Sequence, residues 1–125
     1  LQSTQTGYIA FVRIAVLGAG SWGTALALLL ARNLHNVHLL GRNPDEMARI
    51  SEHRENLHYL PGFPIPENVT PGLISEYAEQ PEMAVIAVPS HAVREIAQIV
   101  PPETSAIVVA AKGLERDTAK LLENV

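Results

Sequence analysis

Three glycines in Gly18-Ala19-Gly20-Ser21-Trp22-Gly23 leave this chain few folds to choose from, because they directly follow the apolar run Ile14-Ala15-Val16-Leu17 and directly open a helical pattern. In a strand-turn-helix setting, Gly18 permits the tight turn, Gly20 lets a pyrophosphate approach the backbone, and Gly23 lets helix and strand pack closely. The free N–H groups at the start of the helix attract phosphate. Gly18, Gly20 and Gly23 are therefore expected to bind a dinucleotide.

The other apolar runs repeat the first one's character. Residues 37–40, 83–88 and 106–110 are short and do not alternate with polar residues, as strands buried on both faces read. Helical patterns lie between them, at 22–33 and at 44–56. In the second, Asn43 is placed to cap, Pro44 suits the first helical position and Glu46 completes a capping box. Met47, Ile50, Arg54 and Leu57 would then share one face. A third helix is expected from Ser90, its cap, to the stop at Pro101-Pro102, and a fourth from about Asp117. The prolines at 61, 64, 66 and 71 predict an irregular stretch over 59–71 with one short strand near Val69. Alternating strands and helices give an α/β, Rossmann-type doubly wound fold. Its sheet would be mainly parallel, in strand order 3-2-1-4-5, with helices on both faces.

A chain of 125 residues, 47% hydrophobic and 18% charged, can bury a core and is not dominated by disorder. Its longest apolar stretch, residues 25–31, is too short for the ~20 residues a membrane helix needs, so no membrane insertion is expected. A net charge of −4 without a block of like charge argues against a nucleic-acid partner and for small molecules. With no cysteine and no leader-like start, a cytoplasmic setting is expected. Residues 1–11 carry no periodic pattern and are taken as an arm outside the fold, leaving 12–125 as a dinucleotide-binding domain. The helix at 25–31 is apolar all the way round, and the final residues fall inside an amphipathic pattern. Both features predict a fragment of a two-domain protein, with a further domain or a second copy covering that helix.

The acidic residue that would hold an NAD ribose ~20 residues beyond the glycines is missing, and the second strand ends Leu40-Gly41-Arg42-Asn43 instead. A guanidinium at Arg42 would attract a ribose 2′-phosphate, so NADP(H) is expected ahead of NAD(H). Lys112 follows the last strand at the edge where ligands collect. Its ammonium suits either an anionic substrate or plain solvation, and spacing leaves both readings open. His91 has no visible acid or nucleophile partner for a catalytic triad. His35, His38, His53 and His58 show no metal-ligand spacing, so no metal is expected.

Taken in order, residues 14–27, Asn56-Leu57-His58-Tyr59-Leu60-Pro61, Val88-Pro89-Ser90-His91 and Ala111-Lys112-Gly113-Leu114-Glu115 resemble the amino-terminal part of bacterial-type NAD(P)-dependent glycerol-3-phosphate dehydrogenases. The resemblance implies that Ser21 and Trp22 touch the cofactor phosphates, that Arg42 meets the adenosine end, and that Lys112 contacts cofactor and substrate as a catalytic residue. It implies hydride transfer between the nicotinamide and dihydroxyacetone phosphate or sn-glycerol 3-phosphate, feeding phospholipid synthesis. It also implies that a helical substrate domain and a second catalytic lysine belong beyond Val125, so that this piece would turn over little substrate alone. One departure is Asn33-Leu34-His35, where the family commonly has a glycine; Asn33 is expected to take the left-handed cap. The rival readings are another two-domain dehydrogenase, a non-catalytic nucleotide-sensing module and an adenosyl-group methyltransferase.

Overall fold

Parallel pairing around one central strand organises the chain, as a computed structural model describes it for residues 12–110. The elements run β1 (Arg13–Leu17), α1 (Ser21–Arg32), β2 (Asn36–Gly41), α2 (Pro44–His53), β3 (Glu55–Asn56), β4 (Leu60–Pro64), β5 (Val69–Leu73), β6 (Met83–Ile86), α3 (Val93–Ile99) and β7 (Ala106–Val109). Five strands form one sheet in the order β5-β2-β1-β6-β7, every pair parallel. Counted along the sheet's own strands, this is the expected 3-2-1-4-5 winding. Val16 sits at its centre, in register with Leu39 on one side and Val85 on the other, and is fully buried.

The β period divides the core in two. Ile14, Val16, Val37, Leu39 and Val85 face α1 and α2, where Ala27, Ala31, Met47 and Ile50 meet them. Ala15, Leu17, Leu40, Ala84 and Ile86 face the other way, onto Ile96 and Val100 at α3. Helices thus cover both faces, and all five strands present their carboxyl ends to one edge, where α1 begins.

Several expectations need correction. Helix α2 stops at His53 rather than running to residue 56, because Arg54 turns left-handed (φ 54°) and caps it, its N–H on the Ile50 carbonyl. The Arg54 side chain does not join the helix face. Its Nη2 donates to the carbonyls of Pro66 (2.6 Å) and Val69 (2.9 Å), fastening the chain that enters β5. Leu57 is exposed instead of buried. The stretch expected to be irregular contains β4, which pairs antiparallel with β3 from the end of the expected helix, before β5. β5 tolerates Pro71 because it is the sheet's edge among the described residues, where a missing donor costs no ladder bond. β6 ends at Ile86, short of residue 88. After α1 the left-handed residue is Leu34 (φ 71°), not Asn33. Ser90 opens a short 3-10 turn ahead of α3, whose cap position is Ala92. The fourth helix lies outside the described residues.

Candidate functional site

The glycine loop hangs between the ends of the two strands that flank β1. Gly18 donates its N–H to the Leu40 carbonyl of β2 (2.8 Å), while Ala87, just past β6, donates to the Leu17 carbonyl (2.8 Å). Gly18 lies at φ +125°, and a Cβ there would stand 2.2 Å from the Ala87 carbonyl oxygen. A Cβ at Gly23 would stand 1.8 Å from the carbonyl oxygen of Gly18 itself. The third glycine therefore lets the first turn of α1 rest on the loop's own backbone. Gly20 differs from both, since a Cβ added to it would meet nothing within 4 Å. Its neighbourhood is open space directly in front of the helix.

That open space faces an unsatisfied helix end. Gly20 stands at the cap position of α1 without a side-chain hydrogen bond, and no acidic residue lies in the first turn. Thr24 is the first amide to bond within the helix, to the Gly20 carbonyl (3.0 Å), so the N–H groups of Ser21, Trp22 and Gly23 precede the ladder. Helix α2 shows the contrast. Its start is capped by Asn43 Oδ1, which accepts from the Glu46 N–H (3.0 Å), and Asp45 and Glu46 answer its dipole. Only α1 of these two helices is left able to receive an anion. Ser21 and Trp22 are exposed beside the opening, Trp22 by 38%. Donors without acceptors, free space at Gly20 and close packing at Gly23 fit the pyrophosphate of a dinucleotide.

The floor of the loop rests on a residue that sequence reading assigned to a helix. Asn56 is 1% exposed and donates both Nδ2 protons, to the Ala19 carbonyl (3.0 Å) and to Thr24 Oγ1 (2.9 Å). Its Oδ1 accepts from the Tyr59 N–H (3.2 Å). Asn56 begins the Asn56-to-Pro61 motif, which was the only signal in the sequence that pointed to it.

Arg42 comes directly after β2, whose last residue, Gly41, abuts the loop: a Cβ there would lie 3.2 Å from the Ala19 side chain. The guanidinium is not free. Its Nη2 pairs with Glu95 Oε1 of α3 at 3.1 Å, both side chains largely exposed, so the pair spans the edge from β2 to α3. Glu95 too went unread in the sequence. The structure thus brings Gly18, Gly20, Ser21, Trp22, Gly23 and Arg42 to one edge of the sheet, whereas Lys112 lies outside the described residues. Among the described residues no group of three or more metal-ligating side chains comes together. His58 Nδ1 instead meets Glu46 Oε2 at 3.3 Å. Nor is any helix among them long and apolar enough to cross a membrane.

Residues 13–125 match the family model described as NAD-dependent glycerol-3-phosphate dehydrogenase N-terminus. The chain is 47% identical over 116 residues to the glycerol-3-phosphate dehydrogenase [NAD(P)+] of Desulfitobacterium hafniense, a match covering 90% of this chain and 33% of that protein. To the Haemophilus ducreyi enzyme of the same name it is 43% identical, over 90% of this chain and 34% of that one. The chain thus spans about a third of the length of these relatives. Among solved structures, glycerol-3-phosphate dehydrogenase from Coxiella burnetii superposes with a TM-score of 0.66 at 31% identity, covering 90% of this chain and 36% of that one. A D-mandelate dehydrogenase superposes with a TM-score of 0.63 at 16% identity, a likeness of fold alone.

Proposed function

This chain belongs to the NAD-dependent glycerol-3-phosphate dehydrogenase family, and we propose that residues 12–125 form the cofactor-binding part of an oxidoreductase acting on dihydroxyacetone phosphate and sn-glycerol 3-phosphate. The observation that carries this reading is the start of α1, uncapped and uncharged behind the open space at Gly20. When bound, the nicotinamide supplies or accepts the hydride, and the chain's residues hold it in place. Amides at the beginning of α1, with Ser21 and Trp22 beside them, bind the pyrophosphate. Lys112 meets substrate and cofactor and stabilises negative charge developing on the carbonyl oxygen. Such a reaction supplies the glycerol phosphate backbone for phospholipid synthesis. We place it in the cytoplasm.

NADP(H) is the preferred form on this reading. The Arg42–Glu95 pair is exposed, and pairs of that kind are worth about 0–1 kcal/mol, so little holds the guanidinium against a better anion. A 2′-phosphate carries a charge of about −1.5 to −2 and three acceptor oxygens, more than one carboxylate offers. With NAD(H), no such exchange takes place.

Part of the apolar surface of α1 awaits a cover. Leu29 is 52% exposed, and a groove of about 430 Å³ runs between Leu28, Ala31 and Arg32 of the helix and Phe63 and Pro66 of the hairpin side. The remainder of the longer protein, or a second copy, would close it.

Trp22 is the chain's only tryptophan and stands in the first turn of α1, so its emission reports on the site. Titration with NADPH should quench it saturably, and Arg42→Ala should weaken NADPH more than NADH. Emission indifferent to both dinucleotides, in a folded chain, refutes the cofactor reading. In the full-length protein, Lys112→Ala should abolish oxidation of NADPH by dihydroxyacetone phosphate while cofactor binding persists. Undiminished turnover would remove Lys112 from the chemistry.

A further inference from the structure

We infer that Asn56 is a positioning residue for the cofactor site, setting the direction of the Gly20 N–H by pinning the peptide that joins Ala19 to Gly20. The inference rests on the dinucleotide reading given above.

A trans peptide points its C=O and its N–H to opposite sides. The Ala19 carbonyl is drawn inward by Asn56 Nδ2 at 3.0 Å, so the N–H of the same peptide, which belongs to Gly20, is turned outward. Outward is the open space in which a Gly20 Cβ would meet no atom within 4 Å. Nothing local enforces this choice. A peptide rotates by coupled changes in ψ of the residue before it and φ of the residue after it, and glycine accepts almost any φ. Gly20 sits at φ −80°, ψ −163°, values that leave the opposite peptide orientation sterically open to it. The glycine that keeps the site clear for a phosphate therefore also loosens the donor aimed at it.

Asn56 removes that freedom from below. It is 1% exposed, and its second proton is committed to Thr24 Oγ1, also 1% exposed, in the first turn of α1. Its oxygen is committed to the Tyr59 N–H. Three partners fix the amide's orientation, so it cannot swing away from Ala19 without orphaning buried polar groups. The bonds also join two separate parts of the chain, since β3 and β4 form a hairpin outside the main sheet. Loop order and hairpin order are thereby coupled, and coupling between a ligand and a segment is reciprocal.

Asn56→Asp tests this in the whole 125-residue chain, because it keeps the side chain's shape while replacing its two donors by an acceptor that repels the Ala19 carbonyl. NADPH affinity, read from Trp22 quenching, should fall by at least about tenfold. The Gly20 amide resonance should leave its wild-type position in the unliganded protein. Ile96→Val, in the other half of the core, serves as a destabilised control. It should lower Tm and leave the Kd within about twofold, separating a directed donor from mere loss of stability. Folded Asn56→Asp that binds NADPH within about twofold of wild type overturns the inference. Should that variant fail to fold, wild type decides. Saturation with NADPH should slow hydrogen exchange at the Asn56 side-chain amide and at the Tyr59 N–H, and unchanged exchange at both overturns the inference. Wild type that binds neither NADPH nor NADH removes the cofactor reading itself, and this inference falls with it.

Discussion

Two glycines three positions apart make opposite demands on a methyl group. Gly23→Ala would drive a Cβ to 1.8 Å from the Gly18 carbonyl oxygen, separating helix from loop; a loss of at least about 3 kcal/mol is expected in denaturant unfolding. Gly20→Ala meets no atom and keeps an ordinary φ, so its unfolding free energy should stay within about 1 kcal/mol of wild type. Its methyl would enter the space proposed for the pyrophosphate, however, and NADPH affinity should fall by at least about tenfold. Equal stability losses in the two variants would contradict the division of roles. These positions were legible in the sequence because the motif's meaning is local, a turn followed by a helix. Asn56 was not, since its bonds cross 37 and 32 residues to the loop and helix, and no periodicity announces a buried amide. Leu34 was hidden for another reason. Asparagine tolerates left-handed backbone better than leucine, so Asn33 drew the expectation, yet Leu34 carries φ 71° while Asn33 Nδ2 donates to the Leu29 carbonyl. Leu34→Gly, at an exposed site, should therefore stabilise the chain by about 1 kcal/mol, visible as a rise in Tm.

Elements were read well where one rule governed them and poorly where side chains from elsewhere decided their ends. The start of α2 falls at Pro44, as expected, because Asn43 Oδ1 caps the Glu46 N–H and Pro44 suits the first position; the Glu46 carboxylate, expected to complete a capping box, meets His58 instead. Its end depends on Arg54, whose side chain reaches carbonyls 12 and 15 residues further on. Arg54→Ala should cost about 2 kcal/mol by loosening the entry to β5, and Arg54→Lys should recover only part of this, because one ammonium cannot replace the guanidinium fork. Full recovery by lysine would show that charge alone suffices. The segment after β5 brings Tyr77 onto the second core face, against the His38 ring at 5.2 Å. Burial first, and the Glu79 carboxylate second, raise its phenol above the usual value of 10.0, with Arg13 opposing them. The folded state therefore keeps the proton longer than the unfolded chain. This contribution to stability is complete below the unfolded pKa and is lost as pH rises through the folded one. Unfolding titrations across that alkaline range should show stability declining with pH, less steeply in Tyr77→Phe.

At the scale of the whole molecule, sheet order and the two-faced core followed from short unbroken apolar runs separated by helices, a pattern with few solutions. Charge placement was less legible. Arg42 draws notice in the sequence by its position after the second strand, but its partner Glu95 lies 53 residues away on α3, and only folding brings the two together. On the present account Glu95 competes with the cofactor for the guanidinium. Glu95→Gln should then tighten NADPH by about two- to fivefold and leave NADH nearly unchanged; parallel changes in both would mean that Arg42 does not meet the 2′-phosphate. The central claim is that this edge of the sheet binds a nicotinamide dinucleotide through the start of α1. Calorimetric titration of the 125-residue chain with NADPH and NADH at fixed salt, beside Gly20→Ala, tests it most directly. One saturable site is expected, tighter for NADPH and severely weakened by the added methyl. Heats indistinguishable from dilution for both dinucleotides in a folded chain, or equal binding by Gly20→Ala, would contradict it.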